Sequence, residues 1–123
     1  MILVDTSVWI DHFRKADGAL MRRLEGVQVA THPFVIGEIA LGSIRNRSLV
    51  LSNLANLPTV TVATDDEAPA FIDAASLAGS GVGYLDAQLL AAVRLTPGAS
   101  LWTRDRKLKA AAGSLGLATG ESD

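Results

Sequence analysis

The chain reads as an α/β protein built on a mostly parallel sheet, and three observations predict it. Short apolar runs alternate with stretches of helical periodicity, the pattern of strands joined by helical crossovers. Acidic residues follow two of those runs closely: Asp5 comes directly after Ile2-Leu3-Val4, and Asp105 comes two residues after Leu101-Trp102-Thr103. In a parallel sheet, ligands bind outside the carboxyl ends of the strands. The third observation is size. A chain of 123 residues, 49% hydrophobic, has enough apolar material for one packed domain and too little length for two comfortable ones.

The elements follow in order. Residues 2–4 form an apolar strand and 8–14 a short helix. Residues 19–25 give a second short helix and 27–31 a strand. Pro33 suits the first turn of a helix reaching about residue 44. Residues 47–56 form another helix, stopped by Pro58, and the β-branched run 59–62 is strand-like. Thr64 and Glu67 have capping-box spacing and open a helix to about residue 78. The loop Gly79-Ser80-Gly81 precedes a helix over about 84–94. Pro97-Gly98 turns the chain into a strand over 100–103, then a helix over 105–112 and a short final strand at 117–118. One domain, 1–119, is expected, with a loose tail over 120–123.

Composition excludes several chemistries. With no cysteine there is no disulfide, thiolate zinc site or cysteine nucleophile. Only His12 and His32 are available, so a histidine-rich metal centre is excluded and any metal site must use oxygen ligands, which suits Mg²⁺ or Mn²⁺. No run approaches the roughly 18 apolar residues of a membrane span, and the N-terminus lacks the basic region of a signal peptide; a cytoplasmic location is expected. Net charge is −2, which by itself argues against a nucleic-acid binder. Setting aside four of the 13 acids as site residues, however, leaves 9 against 11 Lys and Arg. A basic run, Arg104, Arg106, Lys107 and Lys109, adjoins Asp105.

Those four acids carry the functional argument. Besides Asp5 and Asp105 they are Glu38, with Phe34, Val35, Leu41 and Gly42 at helical offsets, and Asp86, with Val82, Gly83, Leu89 and Leu90. Each is expected to project inward or into a cleft. A buried, unpaired carboxylate is costly, and neither Glu38 nor Asp86 has a Lys or Arg within a helical turn. Two carboxylates about 4 Å apart repel by roughly 4 kcal/mol at an effective dielectric near 20, so four that converge require a cation. Such a cluster with Mg²⁺ or Mn²⁺ suits phosphodiester hydrolysis. Thr6, Ser7 and Thr103 add hydroxyls at the same edge to orient the carboxylates or water.

Simpler readings stand beside this one. Asp5 or Asp105 alone reads equally well as a helix N-cap. Asp11 faces Arg14 and Lys15 at helical offsets and reads as a solvated ion-pair residue, while Asp65, Asp66 and Glu67 crowd a helix start where the dipole favours them. Asp73 has a half-apolar setting and is left out of the site. Gly79-Ser80-Gly81-Val82-Gly83 lacks the spacings of a nucleotide loop and reads as a helix C-cap. Nothing supports a triad of Ser7, His12 and an aspartate; Trp9, Phe13 and Trp102 read as core or interface, and His12 and His32 as bystanders.

At these residues the chain resembles the PIN-domain nucleases, and among them the VapC toxins of bacterial toxin–antitoxin pairs. The resemblance rests on Ile2-Leu3-Val4-Asp5-Thr6-Ser7-Val8-Trp9-Ile10-Asp11, Gly37-Glu38-Ile39-Ala40-Leu41-Gly42, Leu85-Asp86-Ala87 and Leu101-Trp102-Thr103-Arg104-Asp105-Arg106-Lys107-Leu108, in that order across essentially the whole chain. It implies a PIN-like α/β/α sandwich with a mostly parallel central sheet of about four to five strands. The family acids fall on Asp5, Glu38, Asp86 and Asp105. Asp5, Asp86 and Asp105 are implied as metal ligands, with Glu38 near the metal or its water and Thr103 as the hydroxyl beside the last acid. The implied activity is Mg²⁺- or Mn²⁺-dependent endoribonuclease action leaving a 5′-phosphate. The implied partners are RNA, a VapB-type antitoxin whose tail covers the site, and a second copy in a homodimer. Arg104, Arg106 and Lys107 fit an RNA path. Two alternatives stay open: a non-catalytic PIN-like module binding RNA or protein, and a phospho-acceptor domain. The latter is opposed by Asp5 standing alone after the first strand and by Arg104, not lysine, after Trp102-Thr103.

Overall fold

The computed structural model describes residues 1–120. Of the expected tail, only Gly120 falls within them. At the centre β1 (Ile2–Val4) lies between β2 (Val29–Ala30) and β3 (Ser100–Trp102), and both pairings are parallel. Leu3 faces Ala30 on one side and Leu101 on the other, and Val4 faces Trp102. All three β1 residues are buried, as expected of a central parallel strand covered on both faces.

The α/β class and the parallel sheet are as expected; the strand count is not. Among the described residues the sheet has three strands, where four to five were expected. The two missing segments each touch the sheet through one parallel bridge, Thr31 with Thr59 and Leu101 with Ala118. Pro58 has no N–H for a ladder. Val60 donates to the Thr31 carbonyl, but the next rung would need the N–H of residue 33, which is Pro33 at the start of α3. The pairing therefore ends after one rung.

Seven helices surround the sheet among the described residues: α1 (Thr6–Arg14), α2 (Gly18–Glu25), α3 (Pro33–Leu41), α4 (Arg47–Ala55), α5 (Glu67–Ala74), α6 (Tyr84–Leu95) and α7 (Arg106–Ser114). α1 packs on α3 and α3 on α4, while α5 packs on α6 and α6 on β3. α6 is the most enclosed, with every residue from Ala87 to Val93 buried. Trp9 and Trp102 are core residues, and Phe13 packs on the core half-buried.

Local chemistry explains the helix ends. Thr64 and Glu67 exchange backbone-to-side-chain bonds of 2.9 and 3.1 Å, the reciprocal box expected from their spacing. α5 stops at Ala74, short of residue 78. Ser76 adopts φ +54°, and the Leu77 N–H reaches back to the Ile72 carbonyl, a Schellman closure made here by serine. The glycine loop is therefore a separate segment and not the helix cap. α3 ends at Leu41 because Gly42 is extended.

Candidate active site

Asp5 sits where β1 ends. Its N–H donates to the Trp102 carbonyl at 2.9 Å, which brings the ends of β1 and β3 together. It caps α1 and is 5% exposed. Its Oδ2 accepts from Ser7 Oγ at 2.7 Å and from Thr103 Oγ1 at 2.8 Å. Both hydroxyls are oriented from behind: the Arg104 N–H donates to Ser7 Oγ at 3.0 Å, and the Asp105 N–H donates to Thr103 Oγ1 at 3.1 Å. Each hydroxyl thus accepts from the backbone and aims its own hydrogen at one carboxylate oxygen. Asp5 Oδ1 takes no hydrogen bond among the described residues.

Asp105 caps α7 through Oδ1, which accepts from the Leu108 N–H at 2.9 Å, and is exposed. For both acids the N-cap reading holds, and it does not compete with a site role. The cap engages one oxygen and fixes the carboxyl at the sheet edge.

Asp86 lies half-buried in the first turn of α6. Its pKa is pushed up to about 6 by burial first, then by the negative charges of Asp5, Asp105 and Glu38. Three of the acids thus act through space on the fourth at this edge. Glu38 departs from expectation. It is exposed, and Leu41 on its supposed inward stripe is 91% exposed; α3 buries Val35 and Ile39 instead. Glu38 belongs to the group by its charge and by the Thr6 Oγ1 hydroxyl, which donates to its Oε1 at 2.9 Å.

As they lie, no three of the described acids stand in position to hold one ion together. The donor set still fits a hard cation. All donors are oxygens, and Mg²⁺ keeps several waters and takes one or two carboxylates directly.

Residues 2–114 match the PIN domain family. The chain belongs to the PIN-domain family. It is 50% identical, over 121 residues and 98% of each chain, to the protein named Ribonuclease VapC32 in two strains of Mycobacterium tuberculosis, CDC 1551 / Oshkosh and ATCC 25618 / H37Rv. The resemblance read from the ordered motifs is thereby borne out.

The basic run of this PIN domain divides. Arg104, expected on an RNA path, is engaged within the protein. Its guanidinium donates to Asp11 Oδ2 at 2.9 Å and Asp17 Oδ2 at 2.5 Å, and lies 5.6 Å from the Trp102 ring centroid. Asp11 accordingly pairs across the fold with Arg104. Arg106 and Lys107 are exposed, with no hydrogen bond or ion pair among the described residues.

Asp17 and the two histidines went unrecognised in the sequence. Asp17 caps α2 and pairs with Arg104, whose hydrogen bond is the main reason its pKa is lowered. The signal was available: an aspartate and a glycine directly before a helical pattern. His12 Nδ1 accepts the Asp17 N–H at 2.9 Å. His32, fully buried, caps α3 by accepting the Phe34 N–H on Nδ1 at 3.0 Å, and burial lowers its pKa. Histidine caps are uncommon, and no residue pattern around His32 pointed to one.

Proposed function

We propose that this PIN-domain protein is the toxin of a VapBC toxin–antitoxin pair, a divalent-metal-dependent endoribonuclease acting through Asp5, Glu38, Asp86 and Asp105. The observation that carries the reading is the charge gathered on Asp86: Asp5, Asp105 and Glu38 all raise its pKa, an arrangement that opposes folding unless a cation uses it. The relatives named as VapC ribonucleases support the same reading.

Asp5, Asp86 and Asp105 would hold Mg²⁺ or Mn²⁺. The ion would supply charge for the phosphate oxygens and lower the pKa of water. The protein's own part is positioning and proton transfer. Ser7 and Thr103 fix Asp5 Oδ2, so its other oxygen keeps one place. Glu38 is exposed and held through Oε1 alone, which leaves Oε2 to take the proton of the attacking water. The water oxygen bonds to phosphorus, the bond to the 3′-oxygen breaks and that oxygen takes a proton from solvent water, leaving a 5′-phosphate on one product and a 3′-hydroxyl on the other. A VapB-type antitoxin, a homodimer and a cytoplasmic location belong to this proposal. No helix among the described residues is long and apolar enough to cross a membrane.

The absence of a ready three-acid cage among the described residues favours one competitor, a PIN-like module that binds RNA or protein without cutting. Purified protein incubated with total cellular RNA decides between them. Discrete fragments are expected with Mn²⁺ and none with EDTA or in Asp5→Asn. Intact RNA in every lane from folded, antitoxin-free protein would favour the binding module.

A further inference from the structure

A polyanion approaching four carboxylates needs fixed positive charge at the rim of the site. The basic run beside Asp105 is the nearest source in sequence, but the side chain of Arg104 is held by Asp11 and Asp17. Lys107 is placed differently. It lies in the first turn of α7, two residues after the cap Asp105, and its side chain runs across to the loop that leads into α6. A Cβ at Gly81 would stand 3.2 Å from both Cδ and Nζ of Lys107, tighter than ordinary contact. With any other residue there, the end of the lysine would have to give by a few tenths of an ångström. The ammonium is therefore laid between two segments that each carry a site acid, Asp105 on one and Asp86 on the other. It makes no ion pair among the described residues. Its charge is unengaged.

We propose that Gly81 is a seat for Lys107, and that Lys107 so seated grips a backbone phosphate of the RNA next to the one that is cut. An ammonium is a compact point charge suited to phosphate. Resting the stem on the loop removes rotamer freedom before the substrate arrives, which lowers the entropy lost on binding. Gly81 has a second reason to be glycine, its φ of +86°, and any test must separate the two. The loop supplies the control. Gly79 has φ +75° and nothing within 4 Å of a Cβ placed there. Gly79→Ala carries the backbone strain alone; Gly81→Ala carries the strain and also presses on the end of Lys107.

The proposal rests on the ribonuclease reading, and the experiment keeps the two apart. In an Asp86→Asn background with Mg²⁺, binding of a fluorescent 20-nucleotide single-stranded RNA is measured across a salt series for the parent, Lys107→Met, Gly79→Ala, Gly81→Ala and Gly81→Ala/Lys107→Met, with melting curves for each. Losing one phosphate contact should lower the log–log salt slope by about 0.7. That loss is expected for Lys107→Met and for Gly81→Ala, with no further loss in the double variant and none in Gly79→Ala. A parental slope in Lys107→Met, or equal losses in Gly79→Ala and Gly81→Ala, overturns the seat. Failure of the parent to bind RNA overturns the phosphate grip and leaves the ribonuclease reading to the cleavage assay on wild type. RNA cleavage by the Asp86→Asn parent counts against the acidic quartet and leaves the slope comparison to judge Lys107.

Discussion

The carboxyl of Asp86 is held up to about 6 by burial and three neighbouring acids, so its ionised form opposes the metal-free fold at neutral pH. Its folded pKa lies above the unfolded value of 3.8. The stability it contributes is therefore present below 3.8 and is lost as pH rises through about 6. Asp86→Asn removes that loss. The variant should be more stable than wild type at pH 7.5 in EDTA, by on the order of 1–3 kcal/mol, while cleaving no RNA. A urea midpoint equal to or below that of wild type would show that Asp86 is not strained. Thr103 behaves oppositely. Thr103→Val keeps the shape but leaves Asp5 with one hydroxyl and the Asp105 N–H without its acceptor. Its expected effect is a 10–100-fold loss in activity and about 1–2 kcal/mol of stability. Cleavage assays and denaturant curves on one preparation check both. The acids and Thr103 were legible in the sequence because strand ends and apolar settings mark them. The exposure of Glu38 was not, since a residue's helical neighbours do not say which arc of the helix another element covers.

At the level of elements, the acids that follow β1 and β3, Asp5 and Asp105, pointed to one edge, because a parallel sheet aligns its carboxyl ends. Most helix bounds lay within a few residues of expectation where proline, glycine or a capping box marked them. The lapses came from the satisfaction of backbone groups. Pro33 turns the chain into α3 without an N–H for the next rung and ends a pairing, and Ser76 turns left-handed and ends α5 early. The His32 cap of α3 belongs to the same class and has a pH signature. Nδ1 accepts only while the ring is neutral, and burial lowers the pKa from 6.5. This contribution is full above 6.5 and is lost as pH falls below it, the reverse of Asp86. His32→Asn keeps a capping oxygen without the titration. It should start less stable than wild type, yet lose less stability between pH 7 and 5. Parallel stability–pH slopes for the two proteins would rule out His32 as the source.

On the scale of the whole molecule, one edge gathers acids from the end of β1, from α3, from α6 and from the cap of α7, so a cation there engages segments from both halves of the chain. Metal binding and folding should therefore be one equilibrium. At a hundredfold excess over Kd, Mg²⁺ or Mn²⁺ should add about 2.7 kcal/mol, a rise in Tm of several degrees for a domain of this size. The increment should shrink as pH falls below about 6, because protonated Asp86 competes with the ion while the metal-free protein is relieved of charge repulsion. It should nearly vanish in Asp86→Asn, whose metal-free Tm is already the higher. Melting curves at pH 7.5 and 5.5, with Mn²⁺ and with EDTA, for wild type and Asp86→Asn, read all of this without RNA. A metal increment of the same size in both proteins at both pH values would place the ion away from Asp86. No increment in wild type would mean that the four acids repel one another without sharing an ion, and the quartet would then have to be explained by what the surface binds.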